Sequence, residues 1–247
     1  MKILYIDIET SPNLAHVWDL WNQNIGLNQL METGQMLCFS AIWDHFPKRP
    51  QFYSEWDDGF QEMVRAAWAL LDEADVVVHY NGRRFDVPWL QRCFVELGLP
   101  PPSPYRQVDL YTVVRSEFRF PSNKLLYVSQ RLLGTTKVKH EGHTLWVKVM
   151  AGDPAARKLF KKYCVQDTKL LIPLHARLLP WIKSYPSHAS QEGEWVCPKC
   201  GSDSLAREGY AYTQMGKFQR YSCMGCGSWS RDNKRIIGTA IAQVPNN

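Results

Sequence analysis

The sequence predicts an α/β layered domain over residues 1–183, a polar linker over 184–194, and a small cysteine-containing module with a tail over 195–247. The prediction of the α/β domain rests on predicted strands that precede a region of mixed strands and helices. The predictions of the linker and of the module rest on the polar run SYPSHASQEGE and on two Cys-x-x-Cys pairs that follow it. A chain of 247 residues that is 45% hydrophobic and 21% charged is not disordered, collagen-like or coiled-coil.

Predicted strands dominate the first part of the chain. Residues 2–9, KILYIDIE, carry apolar side chains on both faces, as a central strand covered on both sides does. Residues 15–21, 35–43 and 50–54 are rich enough in β-branched and aromatic residues to form further strands. The run VVVHY, after Asp75, predicts one more buried strand.

Helices are predicted from apolar spacing and from their end signals. Residues 60–74, 85–97 and 125–133 have helical patterns, and Gly98 and Gly134 end the second and third. Asp153-Pro154 is a cap followed by a proline of the kind tolerated in a first turn. The helix that it begins is expected to run to about Ser184, with a kink near Pro173.

Cysteine usage and apolar runs indicate the compartment. The apolar runs are far shorter than a membrane span, and the first ten residues lack the apolar stretch of a signal peptide. An odd count of seven cysteines, four of them in two pairs, favours reduced thiols and a metal over disulfides. We therefore expect a cytoplasmic protein, nucleoid-associated or, if viral, in the host cytoplasm.

Positive charge is concentrated in two stretches of the chain, although the net charge is only +5. Residues 115–140 hold six lysines and arginines against one acid, and residues 157–169 hold five against one. Such stretches suit a polyanionic partner, but two solvated helix faces would carry the same pattern.

Carboxylates occur where apolar residues are expected. Asp7 and Glu9 lie two apart near the end of the first strand, so both side chains point to one face, where a cation would offset their repulsion. Asp167 interrupts an otherwise apolar helix stripe, and Tyr163 lies one turn before it. A salt bridge to a buried arginine is the alternative partner for Asp167. Asp86, ahead of Val87-Pro88, can be a helix N-cap, a ligand or both.

Three segments in order, YIDIET, HYNGRRFDVPWL and YCVQD, resemble the three motifs of the DEDD superfamily of 3′–5′ exonucleases. The tyrosine four residues before the last aspartate is similar to the DEDDy branch, and the second segment resembles the proofreading domains of family B DNA polymerases. Lys124-Leu125, Val128, Leu133-Gly134 and Lys137 extend the likeness, which covers about residues 1–180. The Arg83-Arg84 pair departs from the family pattern and puts the substrate contacts of that loop in question.

The resemblance implies an RNase H-like mixed central sheet flanked by helices, and a free-standing exonuclease. It implies that Asp7, Glu9, Asp86 and Asp167 hold two Mg²⁺ or Mn²⁺ ions and that Tyr163 orients the attacking water. The implied reaction is hydrolysis of single-stranded DNA ends. A structure-specific endonuclease, an RNA-trimming exonuclease and an inactive nucleic-acid-binding module are the alternatives. The residues expected to contact nucleic acid are Thr10, Asn81, Arg84, Phe85, Lys124, Lys137, Lys158 and Lys162.

The two cysteine pairs predict a second, separate metal site. Cys197 and Cys200 precede Cys223 and Cys226 by 22 intervening residues, and each pair is followed by glycine. Four thiolates in this spacing form a tetrahedral zinc site that resembles a zinc ribbon, with iron as the less favoured metal. The role of the ribbon stays open between gripping nucleic acid, docking a replication or repair protein, and capping the domain.

Overall fold

A computed structural model of the protein describes residues 1–135, 141–189 and 193–238. The chain divides into two compact units, Met1–Leu174 and His175–Asn247. The predicted linker at 184–194 stays a prediction. The first unit holds, in chain order, β1 Ile3–Thr10, β2 Leu14–Ala15, β3 Leu30–Glu32, β4 Met36–Trp43, β5 Gln51–Ser54, α1 Phe60–Glu73, β6 Val76–His79, α2 Asp86–Glu96, β7 Arg106–Asp109, α3 Leu110–Glu117, α4 Leu125–Leu133, α5 His143–Met150 and most of α6 Pro154–Leu178.

A mixed five-stranded sheet forms the centre of the first unit, in the order β5-β4-β1-β6-β7. β1 pairs antiparallel with β4 and parallel with β6, and β6 pairs parallel with β7. The fold class expected from the sequence, an α/β fold with a mixed central sheet, is therefore confirmed. β1 lies in the middle of the sheet, which is why both of its faces are apolar over most of its length.

Helices cover both faces of this sheet. Ile8 pairs with Phe39 on the face where α1 and α2 pack, in a core that includes Leu71 and Leu90. Glu9 pairs with Cys38 on the opposite face, where α5 and α6 pack. A strand that alternates between two apolar layers thus turns its acidic residues toward α6 alone.

Several parts of the first unit differ from the sequence prediction. The strand expected at 15–21 is wrong beyond its start: only Leu14 and Ala15 pair, with β3, and Trp18 is 94% exposed. Aromatic content there gave a strand pattern, but no neighbouring strand extends the ladder. The sequence also missed β7 with α3, and α5, which are too short for a clear period.

The second unit is built on three antiparallel strands, β8 Leu205–Thr213, β9 Gly216–Cys223 and β10 Trp229–Ile237, in the order β10-β9-β8. β8 and β9 lie between the two cysteine pairs and form a hairpin. α6 passes Pro173 and ends at Leu178, short of the predicted end near Ser184. Within the described ranges, no helix is both long and apolar enough to cross a membrane.

Candidate active site and cysteine cluster

The first two carboxylates lie near the carboxyl end of β1. Asp7 and Glu9 pair with Ser40 and Cys38 of β4, and both are partly buried. The thiol of Cys164, on α6, donates to the main-chain oxygen of Asp7 over 3.7 Å. The two side chains therefore share one face, as the spacing predicts, and that face is the one that α6 covers.

Asp86 joins this pair from the start of α2. Its Oδ1 accepts a hydrogen bond of 3.0 Å from the backbone N–H of Ile8, the residue between the two acids of β1. Its side chain is buried, and burial raises the pKa of Asp86 to about 7 despite that bond. The predicted N-cap role is wrong, because Phe85 occupies that position and Asp86 is the first residue of α2. The carboxylate is aimed at β1 instead.

α6 brings the remaining two residues. Asp167 is 3% exposed and lies on a stripe with Phe160, Leu170 and Leu174, all of them buried. Burial raises the pKa of Tyr163, and the negative charges of Glu9, Asp167 and Asp7 raise it further. Tyr163 thus lies in the field of three of the carboxylates, and its hydroxyl keeps its proton at neutral pH.

The donor set at this end of β1 fits hard divalent cations. Two thiols lie nearby, but burial raises the pKa of both Cys38 and Cys164, so neither ionises at neutral pH. The ligands that remain are the carboxylate oxygens, which suit Mg²⁺ or Mn²⁺. Among the described residues, the four cysteines are the group of metal-ligating side chains whose ligand atoms all lie within 4.8 Å of one another, and the four carboxylates do not form such a group.

Sequence reasoning missed Asp109, which organises the loop between β6 and α2. Its carboxylate accepts from the backbone N–H groups of Asn81, at 2.9 Å, and Arg83, at 3.3 Å, and it also caps α3. Asn81 has a φ of 68°, a left-handed conformation that asparagine tolerates better than most residues. An aspartate before Leu110 is a typical helix N-cap, so the cap could have been predicted from the sequence. The hydrogen bonds of Asp109 to the loop could not.

His79 supports the same loop from inside the sheet. Its Nδ1 accepts the backbone N–H of Gly82 at 3.1 Å, and its Nε2 lies 3.3 Å from Gln107 Oε1. Nδ1 therefore carries no proton, and its 3.7 Å approach to Asp109 is not an ion pair. Burial lowers the pKa of His79 and outweighs the opposite effect of Asp109, which keeps the ring neutral.

The residues expected to contact nucleic acid fall in different places. Asn81 and Arg84 line a cleft of about 320 Å³ together with Tyr111 and Arg115, which the sequence did not single out. Lys158 lines a second cleft of about 350 Å³. Lys137 lies outside the described residues. The others are Thr10, which ends β1, and Phe85, Lys124 and Lys162, which are exposed.

The cysteine cluster in the second unit is compact. The Sγ atoms of Cys197 and Cys226 are 3.8 Å apart, and those of Cys200 and Cys223 are 3.6 Å apart. None of the four is in a disulfide. A tetrahedral site with Zn–S bonds of about 2.3 Å requires sulfurs roughly 3.8 Å apart, so the four residues fit zinc.

Each cysteine pair forms the same tight turn. The N–H of Gly201 bonds to the carbonyl of Cys197, and that of Gly227 bonds to the carbonyl of Cys223, at 2.9 and 2.8 Å. Both glycines have positive φ, 75° and 76°, which a side chain would strain. Burial alone would raise the pKa of Cys223, but the amides of Cys226 and Gly225 and two neighbouring thiols lower it to about 7. The second turn therefore favours the thiolate of Cys223, whereas burial raises the pKa values of Cys197 and Cys200 in the first turn.

Comparisons with known proteins support the fold of the first unit. A family model described as the RNase H superfamily matches residues 25–179. A solved family B DNA polymerase from the hyperthermophilic archaeon Pyrobaculum calidifontis superposes with a TM-score of 0.56 at 19% identity. The match covers 72% of this chain and 24% of the polymerase chain, so the present chain spans about a quarter of that protein. No curated protein matches the sequence.

The family match covers more than half of the chain and includes two of the predicted carboxylates, Asp86 and Asp167. The likeness to the polymerase, at its low identity, concerns the fold alone. Together with the mixed sheet and the acidic cluster at the end of β1, these findings support a nuclease, and RNase H-like nucleases use divalent metals. The chain belongs to the RNase H superfamily.

Proposed function

We propose that the protein is a metal-dependent 3′–5′ exonuclease that hydrolyses phosphodiester bonds at single-stranded DNA ends. The observation that carries this proposal is the convergence of acids from three distant segments on one end of β1. Asp86 accepts a hydrogen bond from the backbone N–H of Ile8, which lies between Asp7 and Glu9. The negative charges of Asp7, Glu9 and Asp167 all raise the pKa of Tyr163, so these three carboxylates lie near one hydroxyl. Two buried carboxylates, Asp86 and Asp167, beside the two partly buried acids of β1 are unfavourable unless cations accompany them.

The proposed site works through positioning and charge. Asp7, Glu9, Asp86 and Asp167 would hold two divalent cations, which supply an activated water and stabilise the leaving 3′ oxygen. Tyr163 keeps its hydroxyl proton at neutral pH, so it orients the attacking water by a hydrogen bond and does not act as the base. The loop that Asp109 and His79 hold sets the direction of Asp86 at the start of α2.

Arg84 and Arg115 are suited to the phosphates of the substrate strand. Both line the cleft that also contains Asn81 and Tyr111, and no acidic residue lines it. Arginine forks bind phosphate in bidentate fashion, and a tyrosine ring offers a surface for a base. We therefore assign a substrate-binding role to Arg84, the second residue of the Arg83-Arg84 pair that departs from the family pattern.

The test uses 5′-labelled single- and double-stranded DNA and RNA oligomers incubated with Mg²⁺ and resolved at single-nucleotide steps. We expect a ladder that shortens from the full-length strand, faster on single-stranded DNA than on RNA. Internal products that appear first would favour a structure-specific endonuclease, and a faster RNA ladder would favour RNA trimming. No cleavage by any metal-loaded preparation would contradict the proposal and leave a binding module.

A further inference from the structure

One face of the sheet in the second unit combines arginines with aromatic rings. Directly opposed residues on antiparallel strands share a face, and Trp229 opposes Ser222, Arg231 opposes Arg220, and Arg235 opposes Phe218. Alternation along β9 puts Phe218, Arg220 and Ser222 on that same face. We call the set of Phe218, Arg220, Trp229, Arg231 and Arg235 the arginine face.

Among the residues described in the second unit, the three arginines of the arginine face donate to main-chain oxygens and not to carboxylates. Arg220 donates to the carbonyl of Glu208 at 2.8 Å, Arg231 to that of Asp232 at 2.9 Å, and Arg235 to that of Met215 at 3.2 Å. Within residues 193–238, none of the three forms an ion pair with a carboxylate. Like charges directly opposite each other on a sheet are destabilising, so the Arg220–Arg231 pair has a cost in free energy that the fold does not require.

The rings hold the guanidinium groups in defined planes. Arg231 Cζ lies 4.0 Å from the ring centre of Phe218, and Arg220 Cζ lies 4.6 Å from that of Trp229. Phe218 is buried beneath its arginine, but Trp229 remains 52% exposed. Covering a buried phenylalanine needs a single long side chain, which leaves the second arginine and the exposed indole without a role in packing.

We propose that the arginine face binds a single-stranded polynucleotide, with phosphates on the arginine forks and a base on the indole of Trp229. Together β9 and β10 carry five basic residues and one acid, a balance complementary to a polyanion. Stacked aromatic rings beside arginines are how proteins bind single strands without reading sequence. An acidic protein surface would satisfy the charge but would leave the exposed indole without a flat partner.

The arginine face is independent of the carboxylates of the first unit. It extends the proposed function by a second binding site for a single-stranded polynucleotide. The test measures anisotropy of fluorescent dT₂₀ and rU₂₀ with the zinc-loaded full chain without added Mg²⁺, so that binding is read without cleavage. We expect Trp229→Ala to weaken binding ~5- to 150-fold, the range for loss of one stacked base. Arg231→Ala should lower the salt slope by about one unit. The two oligomers distinguish DNA from RNA.

The matched control is Lys217→Ala, which removes one positive charge from the opposite face of the same sheet. Zinc content and circular dichroism establish that each variant is folded. Equal losses for Arg231→Ala and Lys217→Ala, or unchanged binding by Trp229→Ala, would overturn the proposal. Competition by poly-glutamate as strong as by dT₂₀ would also overturn it and indicate an acidic protein partner. If the protein binds the oligomers but does not cleave them when Mg²⁺ is added, the nuclease proposal is wrong and the proposed binding by the arginine face stands.

Discussion

The chain holds two sets of side chains that we propose as metal ligands, and the two sets are built in opposite ways. The carboxylates come from β1, α2 and α6, separated by up to 160 residues, and lie against a packed core. The thiols come from two tight turns with the same backbone hydrogen bond, within 30 residues of each other. They lie in a short segment that has few apolar side chains for a core. The fold of the first unit positions the carboxylates, whereas a metal bound by the cysteines would stabilise the fold around them.

The difference has a consequence for each metal. The core behind the carboxylates is made of apolar side chains such as Phe160 and Leu170, so we expect it to stay folded when a cation is removed. The second unit has a few buried apolar side chains, among them Phe218 and Tyr221, beside its cysteines. A module so small depends on its metal for stability. Metal at the first cluster should therefore govern activity, and metal at the second should govern folding.

The largest effect is expected for loss of zinc. Structural zinc contributes roughly 10–16 kcal/mol in zinc-finger peptides, more than a module of this size can replace. Cys200→Ser should unfold the second unit while the first unit keeps its helices. Hydrogen exchange resolved by peptide measures this, with Cys93→Ser, a buried cysteine outside the cluster, as the control. Protection of β9 that survives in zinc-free Cys200→Ser would contradict the role given to the metal.

The carboxylates should show the reverse pattern. Asp167→Asn is expected to lower the cleavage rate on the order of 10³-fold, since metal-ion catalysis supplies several kcal/mol of charge stabilisation. The melting temperature without divalent cations should stay the same or rise, because a buried negative charge is removed. Single-turnover cleavage and calorimetry measure the two quantities. If Asp167→Asn unfolds and its folded fraction cleaves at the unaltered rate, the carboxylate governs folding and not activity, which would contradict this prediction.

Tyr163→Phe separates positioning from packing within the first cluster. The ring and its contacts with Trp146 and Phe160 remain, and only the hydroxyl is lost. We expect a loss on the order of 10- to 1000-fold in rate at saturating substrate, with substrate and metal affinity retained. Tyr163→Ala serves as the comparison because it also removes the ring. Equal rates for Tyr163→Phe and the unaltered protein would remove the hydroxyl from the mechanism.

Gly82→Ala should disturb the loop that carries Asp86. A Cβ at this position would lie 2.5 Å from Cγ of His79, whose side chain is buried. A cost of about 1–3 kcal/mol in the free energy of unfolding is expected for such overpacking, with a fall in rate. Gly98→Ala is the control: its φ is 67°, but nothing lies within 4 Å of its Cβ. Equal rates for the two variants would show that the loop tolerates the change.

The smallest effect concerns pH. Burial holds the pKa of His79 below its ordinary value of about 6.5, so the unfolded chain binds more protons than the folded one as pH falls through 6.5. The free energy of unfolding should decline toward acid from that point, and less so in His79→Gln. Denaturant titrations between pH 7.5 and 5 measure the slopes. Identical slopes would mean that the ring is not held neutral.

Features set by local chemistry could be predicted from the sequence. The strand of Asp7 and Glu9, the stripe of Asp167 and the zinc turns each depend on residues close together in the chain. Tertiary features could not be predicted in this way. The local sequence around Asp109 indicates only a helix N-cap. The pairing of β7 with β6 brings Asp109 to the backbone of Asn81, and this pairing is a tertiary feature. The opposed arginines of β9 and β10 depend likewise on strand register, which the sequence alone does not determine.

The central claim is that hard oxygen ligands and soft sulfur ligands divide two metals between the two clusters. Crystals of the zinc-loaded protein soaked in Mn²⁺, with anomalous data collected at the manganese and zinc edges, test it most directly. We expect manganese among Asp7, Glu9, Asp86 and Asp167, and one zinc among Cys197, Cys200, Cys223 and Cys226. Carboxylates that bind no manganese, or sulfurs that bind no zinc, would contradict the account.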